Sequence, residues 1–239
     1  MQNDRWAAVV VAAGRGTRMG SAESKQYLML GGQPILARSL ALFESMPEVT
    51  EIVLVVGSQD VERCSGWAAR YGLDKLSRVV AGGKDRQESV YLGLQAVTAS
   101  WVMVHDGVRP LVSREAVRRC CTMAERQGAA VLAVPVKDTI KQVDEDGLIA
   151  ATPDRRSLWA IQTPQAFRYD LLLAAHESAR EAGFAGTDDA MVVERAGAPV
   201  AVAEGEYTNI KITTPEDLPY AEFLLTQAIG DPGGGGARS

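Results

Sequence analysis

Residues that bind metals or exchange electrons are scarce in this chain of 239 residues. It has three cysteines and two histidines, and no two cysteines have the C-x-x-C spacing of a zinc or redox site. This shortage argues against zinc and disulfide chemistry. We expect Cys64, Cys120 and Cys121 to be buried, reduced thiols of a cytoplasmic protein.

Excess positive charge and long apolar segments are also missing. The formal net charge is −5, whereas nucleic acids and membrane surfaces attract basic faces. The apolar run near the N-terminus stops before Gly14, too early for a signal peptide or a membrane span. The sequence therefore predicts no nucleic-acid partner and no membrane association, and its few cation-rich loops favour a small anionic ligand.

Short apolar runs alternate with helical patterns along most of the chain. The apolar fraction of 46% is enough for one domain with a full core. Strands are predicted at 7–13, 51–56, 77–81, 101–105, 129–134 and 200–203. Helices are predicted at 34–45, 59–71, 87–96, 113–127, 169–181 and 189–196, with Ser113 and Thr187 as caps, and another helix starts near 213–217. This order predicts an α/β fold with a mostly parallel sheet and helices on both faces.

One segment departs from that alternation. Thr139–Val143 and Leu148–Thr152 flank the turn Asp144–Gly147, which predicts a β-hairpin within an arm at about 136–153. A lone hairpin is marginally stable in water, so we expect it to pack on a second subunit or on its own domain. We expect a single domain over 1–229, and the four consecutive glycines after Gly230 predict a disordered tail over 230–239.

A glycine-rich, basic loop follows the first predicted strand. Glycine admits positive φ and brings backbone N–H groups close to a ligand, and neighbouring cations add charge. The loop has neither the dinucleotide spacing G-x-G-x-x-G nor a Walker A pattern. It nevertheless predicts a phosphate site, formed by Gly14, Gly16 and Gly20 with Arg15, Arg18 and Lys25.

Other loops should meet this one. Right-handed crossovers bring the carboxyl ends of parallel strands to one edge, so the loops at 14–25, 82–86 and 106–110 should cluster. That edge would hold several cations, including Arg86 and Arg109, beside one carboxylate, Asp106. Such a set is typical of a nucleoside triphosphate with Mg²⁺, although Asp106 alone could equally be a loop cap.

The ordered motifs resemble those of the methylerythritol phosphate cytidylyltransferase family. They are AAGRGTRMG, KQYL, GGKDRQESV, VHDGVRP, PVKDT, TPQAF, TDDA and NIKITTPEDL. The resemblance spans about Ala7 to Leu225 and implies a Rossmann-like, glycosyltransferase-A type fold. It also implies a homodimer joined through the hairpin arm, and Mg²⁺-dependent transfer of a cytidylyl group from CTP to a sugar-alcohol phosphate, with release of pyrophosphate.

The resemblance also implies roles for individual residues. The loop containing Ala13, Gly14 and Gly16 would wrap the triphosphate, and Arg18, Lys25 and Lys211 would stabilise the charge of the reacting phosphate. Gly83, Lys84 and Ser89 would read cytosine, and Asp106 would lie near CTP and Mg²⁺. The acceptor would be bound by Arg109, Thr187 and Lys211, and by Thr139 and Arg155 reaching across from the partner subunit.

Three alternatives stay open on sequence alone. A cytidylyltransferase acting on ribitol phosphate shares nearly all of these motifs. A nicotinamide-dependent oxidoreductase is disfavoured by the glycine spacing and by the lack of an acidic residue at the end of Glu51–Val56. A non-catalytic nucleotide sensor could discard Lys25 and Lys211, and both are present.

Overall fold

A central seven-stranded sheet organises the molecule, which we describe from a computed structural model covering residues 6–14 and 23–230. Its strands are β1 (Trp6–Ala12), β4 (Val49–Val56), β5 (Leu76–Ala81), β6 (Trp101–Asp106), β7 (Ala129–Pro135), β10 (Trp159–Arg168) and β11 (Ala201–Glu204). They lie in the order β11-β7-β10-β6-β1-β4-β5. Two small two-stranded sheets pair β2 (Met29–Leu30) with β3 (Gln33–Pro34) and β8 (Gln142–Val143) with β9 (Ile149–Ala151).

All neighbouring strands of the large sheet run parallel except those beside β10. This strand is antiparallel to both β6 and β7, while β1 pairs in parallel with β4 and β6. The sheet confirms the predicted α/β class. Strand β10 was not predicted, because its sequence passes through polar residues and Pro164, which lacks a backbone donor and lies where the register with β7 shifts.

Helices cover both faces of the sheet, as predicted. They are α1 (Ile35–Glu44), α2 (Val61–Ser65), α3 (Trp67–Tyr71), α4 (Arg86–Leu94), α5 (Arg114–Gln127), α6 (Tyr169–Glu181), α7 (Asp189–Arg195) and α8 (Asp217–Gly230). Apolar residues of α1, α2, α3 and α5 pack on one face, and those of α4, α6 and α7 pack on the other. No helix of the described ranges has the length and apolar character needed to cross a membrane.

The cysteines lie in this core. Cys64, Cys120 and Cys121 are free and buried, which confirms that part of the expectation. Burial raises the pKa of the Cys120 thiol to about 12. Such a thiol has little thiolate character at neutral pH and therefore acts as a packing residue.

Several helix ends differ from the predictions. The single helix predicted at 59–71 is two helices, α2 and α3, separated at Gly66. The cap of α7 is Asp188 rather than Thr187, because the Asp188 carboxylate accepts the Met191 N–H at 2.9 Å. The predicted cap Ser113 is confirmed, since its Oγ accepts the Ala116 N–H at 3.0 Å.

The predicted hairpin is present as β8 and β9, with shorter strands than expected. Asp144 Oδ1 accepts the N–H groups of Asp146 and Leu148, and Gly147 has φ +82°, so the turn uses a side-chain cap and a glycine. Leu148 and Ile149 are 66% and 64% exposed, so the hairpin presents apolar side chains outward.

At the other end of the chain, α8 continues through Gly230, where the tail was expected to begin. The predicted disorder over 231–239 falls outside the residues that the structure describes.

Candidate active site

The first cavity of the site lies at the carboxyl ends of β1 and β6 and has a volume of about 250 Å³. It brings together many of the residues singled out in the sequence, from five separate segments of the described chain. Its lining includes Ala13, Gly14, Lys25, Gly83, Lys84, Ser89, Asp106 and Lys211, together with Arg86. Convergence of these loops at one sheet edge is what the parallel topology predicts.

A second cavity, of about 260 Å³, adjoins the first. Its lining includes two further predicted residues, Arg109 and Thr187. Arg86, Asp106 and Lys211 line both cavities, so the two meet at these three side chains. A molecule in one cavity and a molecule in the other would both contact this charged boundary.

Two predicted residues that the structure describes line neither cavity, and four others lie outside the described residues. Thr139 and Arg155, on or beside the hairpin, are absent from both linings, and Arg155 Nη1 donates to the carbonyl of Lys137 within the same arm. The arginine therefore has a local partner, which the sequence did not reveal. Gly16 and Arg18 lie outside the described residues, as do Arg15 and Gly20.

The carboxylate of Asp106 is surrounded by three cationic side chains. Lys211 Nζ lies 2.9 Å from Oδ2, Arg86 Nε lies 3.2 Å from Oδ1, and Arg109 Nε lies 3.6 Å from Oδ2. Burial alone would raise the pKa of Asp106, but Arg86 and Lys211 outweigh it and hold that pKa well below its usual range. Asp106 is therefore an ionised carboxylate, and these contacts join it to cationic side chains rather than to a backbone N–H of its loop.

Buried hydrogen bonds fix the backbone on either side of this carboxylate. Thr163 Oγ1 accepts the Asp106 N–H at 3.0 Å and lies 3.1 Å from Nδ1 of His105. Its own proton can therefore go to Nδ1, which leaves Nε2 of His105 to donate to the carbonyl of Arg109 at 3.1 Å. Burial lowers the pKa of His105 to about 4, so the ring is neutral at physiological pH. The histidine and the threonine hold the backbone of Asp106 and Arg109.

Lys25 is placed by the residues that follow it. It opens a single helical turn, Lys25–Tyr27, in which Gln26 is buried and donates from Nε2 to the carbonyl of Ala12 at 3.0 Å. The ring of Tyr27 packs edge-on against Trp67, with 5.9 Å between ring centroids. These contacts fix the turn against the end of β1, which keeps Lys25 in the lining of the first cavity.

The segment before α4 is tightly built around Gly83. The Gly83 N–H donates to Ser89 Oγ at 3.1 Å, and the Lys84 N–H donates to Glu88 Oε2 at 2.9 Å. A Cβ at position 83 would lie 2.3 Å from Glu88 Cγ, so only glycine fits without a shift. The loop is pre-organised beside the cavity.

A second buried carboxylate, Asp189, joins the site through Arg86. Arg86 Nη1 donates to Asp189 Oδ2 at 2.8 Å, and Asp189 Oδ1 lies 3.2 Å from His176 Nε2. The sequence indicates no role for Asp189 or Thr163. Both belong to the motifs TDDA and TPQAF, but only the folded chain shows what they contact.

The sheet and the two cavities that meet at a cation-rich boundary suit an α/β nucleotidyltransferase, and the family match shows that the chain is one. Residues 6–227 match the family described as "IspD: 2-C-methyl-D-erythritol 4-phosphate cytidylyltransferase". The chain belongs to this family, which excludes the oxidoreductase alternative.

Individual relatives support the same family assignment. The enzyme of that name from Geobacillus kaustophilus is 48% identical over 226 residues, covering 94% of this chain and 98% of the relative. The one from Geobacter metallireducens is 47% identical, covering 93% and 98%. Among solved structures, 4-diphosphocytidyl-2C-methyl-D-erythritol synthase from Anaerococcus prevotii has a TM-score of 0.83 at 33% identity, covering 94% of this chain and 100% of that one. The Thermus thermophilus cytidylyltransferase has a TM-score of 0.74 at 35% identity, covering 92% and 98%.

Proposed function

We propose that this chain transfers a cytidylyl group from CTP to 2-C-methyl-D-erythritol 4-phosphate. The products are 4-diphosphocytidyl-2-C-methyl-D-erythritol and pyrophosphate, in isoprenoid precursor biosynthesis. The main structural support is that two cavities share Arg86, Asp106 and Lys211 as a boundary. Adjacent sites for two substrates suit a reaction in which an atom of one must approach an atom of the other in line.

The reaction requires no nucleophilic side chain. An oxygen of the acceptor phosphate bonds to the α-phosphorus of CTP, while the bond from that phosphorus to the bridging oxygen breaks and pyrophosphate leaves with the electron pair. The acceptor phosphate is already ionised at neutral pH, so the protein mainly aligns the groups and neutralises charge. We assign the neutralisation to Lys25 and Lys211, which line the first cavity, and to Arg18, outside the described residues.

We assign the first cavity to CTP. Ala13 and Gly14, which follow β1, would lie along the triphosphate, together with Gly16 of the undescribed loop. Gly83, Lys84 and Ser89 line the same cavity and would contact the base. Their rigid hydrogen bonds support this role, because a fixed polar surface discriminates against a base that leaves its groups unpaired.

We assign the second cavity to the acceptor, with Arg109, Thr187 and Lys211 as contacts. Ten of the described residues line it, and among these ten Ile161 is the one aliphatic side chain. A polyol phosphate with a single methyl branch matches a polar cavity with a single aliphatic contact. Ribitol phosphate, the alternative acceptor, has no methyl group, so Ile161 favours methylerythritol phosphate.

Mg²⁺ fits this site only together with the nucleotide. The described residues contain no cluster of three or more histidine, cysteine, aspartate or glutamate side chains suited to a metal. Asp106 is the one carboxylate on the shared boundary, and it is already paired with cations. A hard ion that takes most of its oxygens from phosphate and water needs no more than such a carboxylate. When bound, Mg²⁺ would neutralise triphosphate charge beside Asp106.

We further propose a cytoplasmic homodimer joined through the arm. The outward-facing apolar side chains of the hairpin include Val143, Leu148 and Ile149, which a second copy would cover. Thr139 and Arg155 lie away from their own subunit's cavities, and in the partner they would add contacts to the acceptor. Reduced cysteines and a nucleotide substrate suit the cytoplasm.

The test is an assay of purified protein with CTP, Mg²⁺ and one of two acceptors, methylerythritol phosphate or ribitol phosphate. Pyrophosphate release and the mass of the product are both measured. We expect rapid turnover with methylerythritol phosphate and a cytidine diphosphate product. Preferential use of ribitol phosphate would show that ribitol phosphate, rather than methylerythritol phosphate, is the acceptor. If neither acceptor led to pyrophosphate release, the proposed activity would be contradicted.

A further inference from the structure

The first turn of α4 contacts both halves of the site. Asp85, the cap of this helix, accepts the Glu88 N–H at 2.8 Å, next to the segment that we assign to the base of CTP. The two residues that follow reach the acceptor side. Arg86 bonds to Asp189, the first residue of α7, and Gln87 bonds to the loop that leads into α7.

Gln87 bonds this segment with both ends of its amide. Nε2 donates to the carbonyl of Phe184 at 3.0 Å, and Oε1 accepts the N–H of Gly186 at 2.7 Å. These two backbone groups lie three residues and one residue before Thr187, which lines the acceptor cavity. Gln87 itself is absent from the lining of both cavities. It holds the backbone next to Thr187 without facing either substrate.

Arg86 makes the second connection, just beyond Thr187. Its Nη1 meets Asp189 at 2.8 Å and its Nε meets Asp106 at 3.2 Å. Asp189 is 1% exposed, and its pKa is lowered because Arg86 and His176 outweigh the effect of burial. A buried charge pair of this kind is costly to break, since it would leave a carboxylate without its cation.

We propose that Arg86 and Gln87 form a clamp that positions the acceptor loop, residues 184–188, against the nucleotide half of the site. Gln87 is a positioning residue of the clamp: it sets where Thr187 meets the acceptor. This inference rests on the proposed function, because it takes the second cavity to be the acceptor site. A small shift of such a loop would misalign the acceptor phosphate while leaving the CTP contacts in place.

The test compares Gln87→Met with Gln95→Met. Both replace an amide by an apolar side chain of similar length on the same helix, but Gln95 is exposed at the far end of α4. For Gln87→Met we expect the KM for the acceptor to rise about 10-fold or more and the KM for CTP to stay within about twofold. Gln95→Met should match the unmodified enzyme in both.

Hydrogen–deuterium exchange provides a readout that does not depend on turnover. Amides of the acceptor loop should exchange faster in Gln87→Met than in Gln95→Met, in protein whose circular dichroism shows an intact fold. Gln87→Glu serves if the methionine variant does not fold. It keeps an acceptor for Gly186 but cannot donate to Phe184 when ionised, and should give the same KM split to a smaller extent.

The results separate the clamp from the proposed function. If the unmodified enzyme is active and Gln87→Met leaves the acceptor KM unchanged, the clamp is wrong and the proposed function stands. If both KM values rise equally, Gln87 has a general structural role and the clamp is again wrong. If the unmodified enzyme turns over neither acceptor, the proposed function fails, and the assignment of the clamp to acceptor binding fails with it.

Discussion

Five charged side chains connect the two halves of the site through direct contacts. Arg86, Arg109 and Lys211 surround Asp106, and Arg86 also reaches Asp189. Three cations against two carboxylates leave one positive charge in excess at a largely buried boundary. That excess favours phosphate-bearing ligands, because charges in a partly dehydrated site interact more strongly than in water.

Removing Lys211 should impair the reaction more than nucleotide binding. In Lys211→Met we expect kcat to fall about 10²-fold or more, because charge stabilisation is lost where it grows in the transition state. Pyrophosphate release measures this at saturating CTP and acceptor. Lys75→Met is the matched control: Lys75 donates to the carbonyl of Met46, at the opposite edge of the sheet, so its kcat should stay near normal. A normal kcat in Lys211→Met would remove Lys211 from the mechanism.

Ile161 should decide the preference for a methyl branch. The ratio of kcat/KM for methylerythritol phosphate to that for erythritol phosphate should be roughly 10-fold or more in the unmodified enzyme, and most of it should vanish in Ile161→Ala. The control is Val202→Ala on β11, because Val202 and Ile161 have the same exposed fraction of 42%. An unchanged ratio in Ile161→Ala would show that the methyl group binds elsewhere.

Among the described elements, the hairpin β8–β9 has only a short strand pairing to support it. Its pairing extends only from Gln142 opposite Ala151 to Val143 opposite Ile149, and its apolar residues face outward. A two-stranded unit of this size gains too little burial to be stable by itself. Its order therefore depends on contacts outside the hairpin, which a second subunit would provide.

A charge on the outer face of the hairpin should weaken the dimer. For Ile149→Glu we expect a shift from dimer to monomer at micromolar concentration, because a carboxylate would be buried without a partner. Light scattering after size exclusion measures the mass. Gln142→Glu introduces the same charge on the neighbouring strand in place of a polar side chain and should shift the equilibrium less. A dimer equally stable in both variants would place the interface elsewhere.

Some strands and helix ends of this fold could be predicted from the sequence, and others could not. Strands β1 and β7, and β4 from Ile52 onward, are continuous apolar runs, and their burial on both faces made them predictable. Strand β10 was not predicted, because its buried residues include the polar Gln162, Thr163 and Gln165. The hydrogen-bond partners of these side chains lie far away in the chain. Asp188 took the capping role expected of Thr187, since adjacent polar residues at a helix start are equally good candidates.

At the scale of the whole molecule, the sequence predicts where the site lies. It does not predict which side chains of the site bond to one another. Parallel strands must end at one edge, so Gly14, Lys25, Gly83 and Asp106 could be placed together from topology alone. The bond between Arg86 and Asp189 joins residues 103 positions apart, and no local pattern indicates it. Roles that depend on the partner subunit, such as that of Arg155, stay predictions.

Subunit mixing should show whether Arg155 acts in the neighbouring site. Arg155→Ala and Lys25→Ala should each be nearly inactive alone. After exchange, half of the dimers are mixed, and one of their two sites has both residues intact, so about a quarter of normal activity should return. Native mass spectrometry confirms the exchange. Mixed dimers without activity would show that Arg155 does not act across the interface.

The antiparallel direction of β10 affects which part of the chain can vary in length and sequence. Trp159 pairs directly with Pro135, so residues 136–158 leave the sheet and return to it at adjacent points on the active edge. The cost of closing such an excursion grows only slowly with its length. The excursion can therefore lengthen, shorten or change its sequence without altering the register of a single sheet strand. The sheet and the excursion can thus change separately within one continuous polypeptide, apart from the excursion residues Thr139 and Arg155, to which we assign contacts with the acceptor.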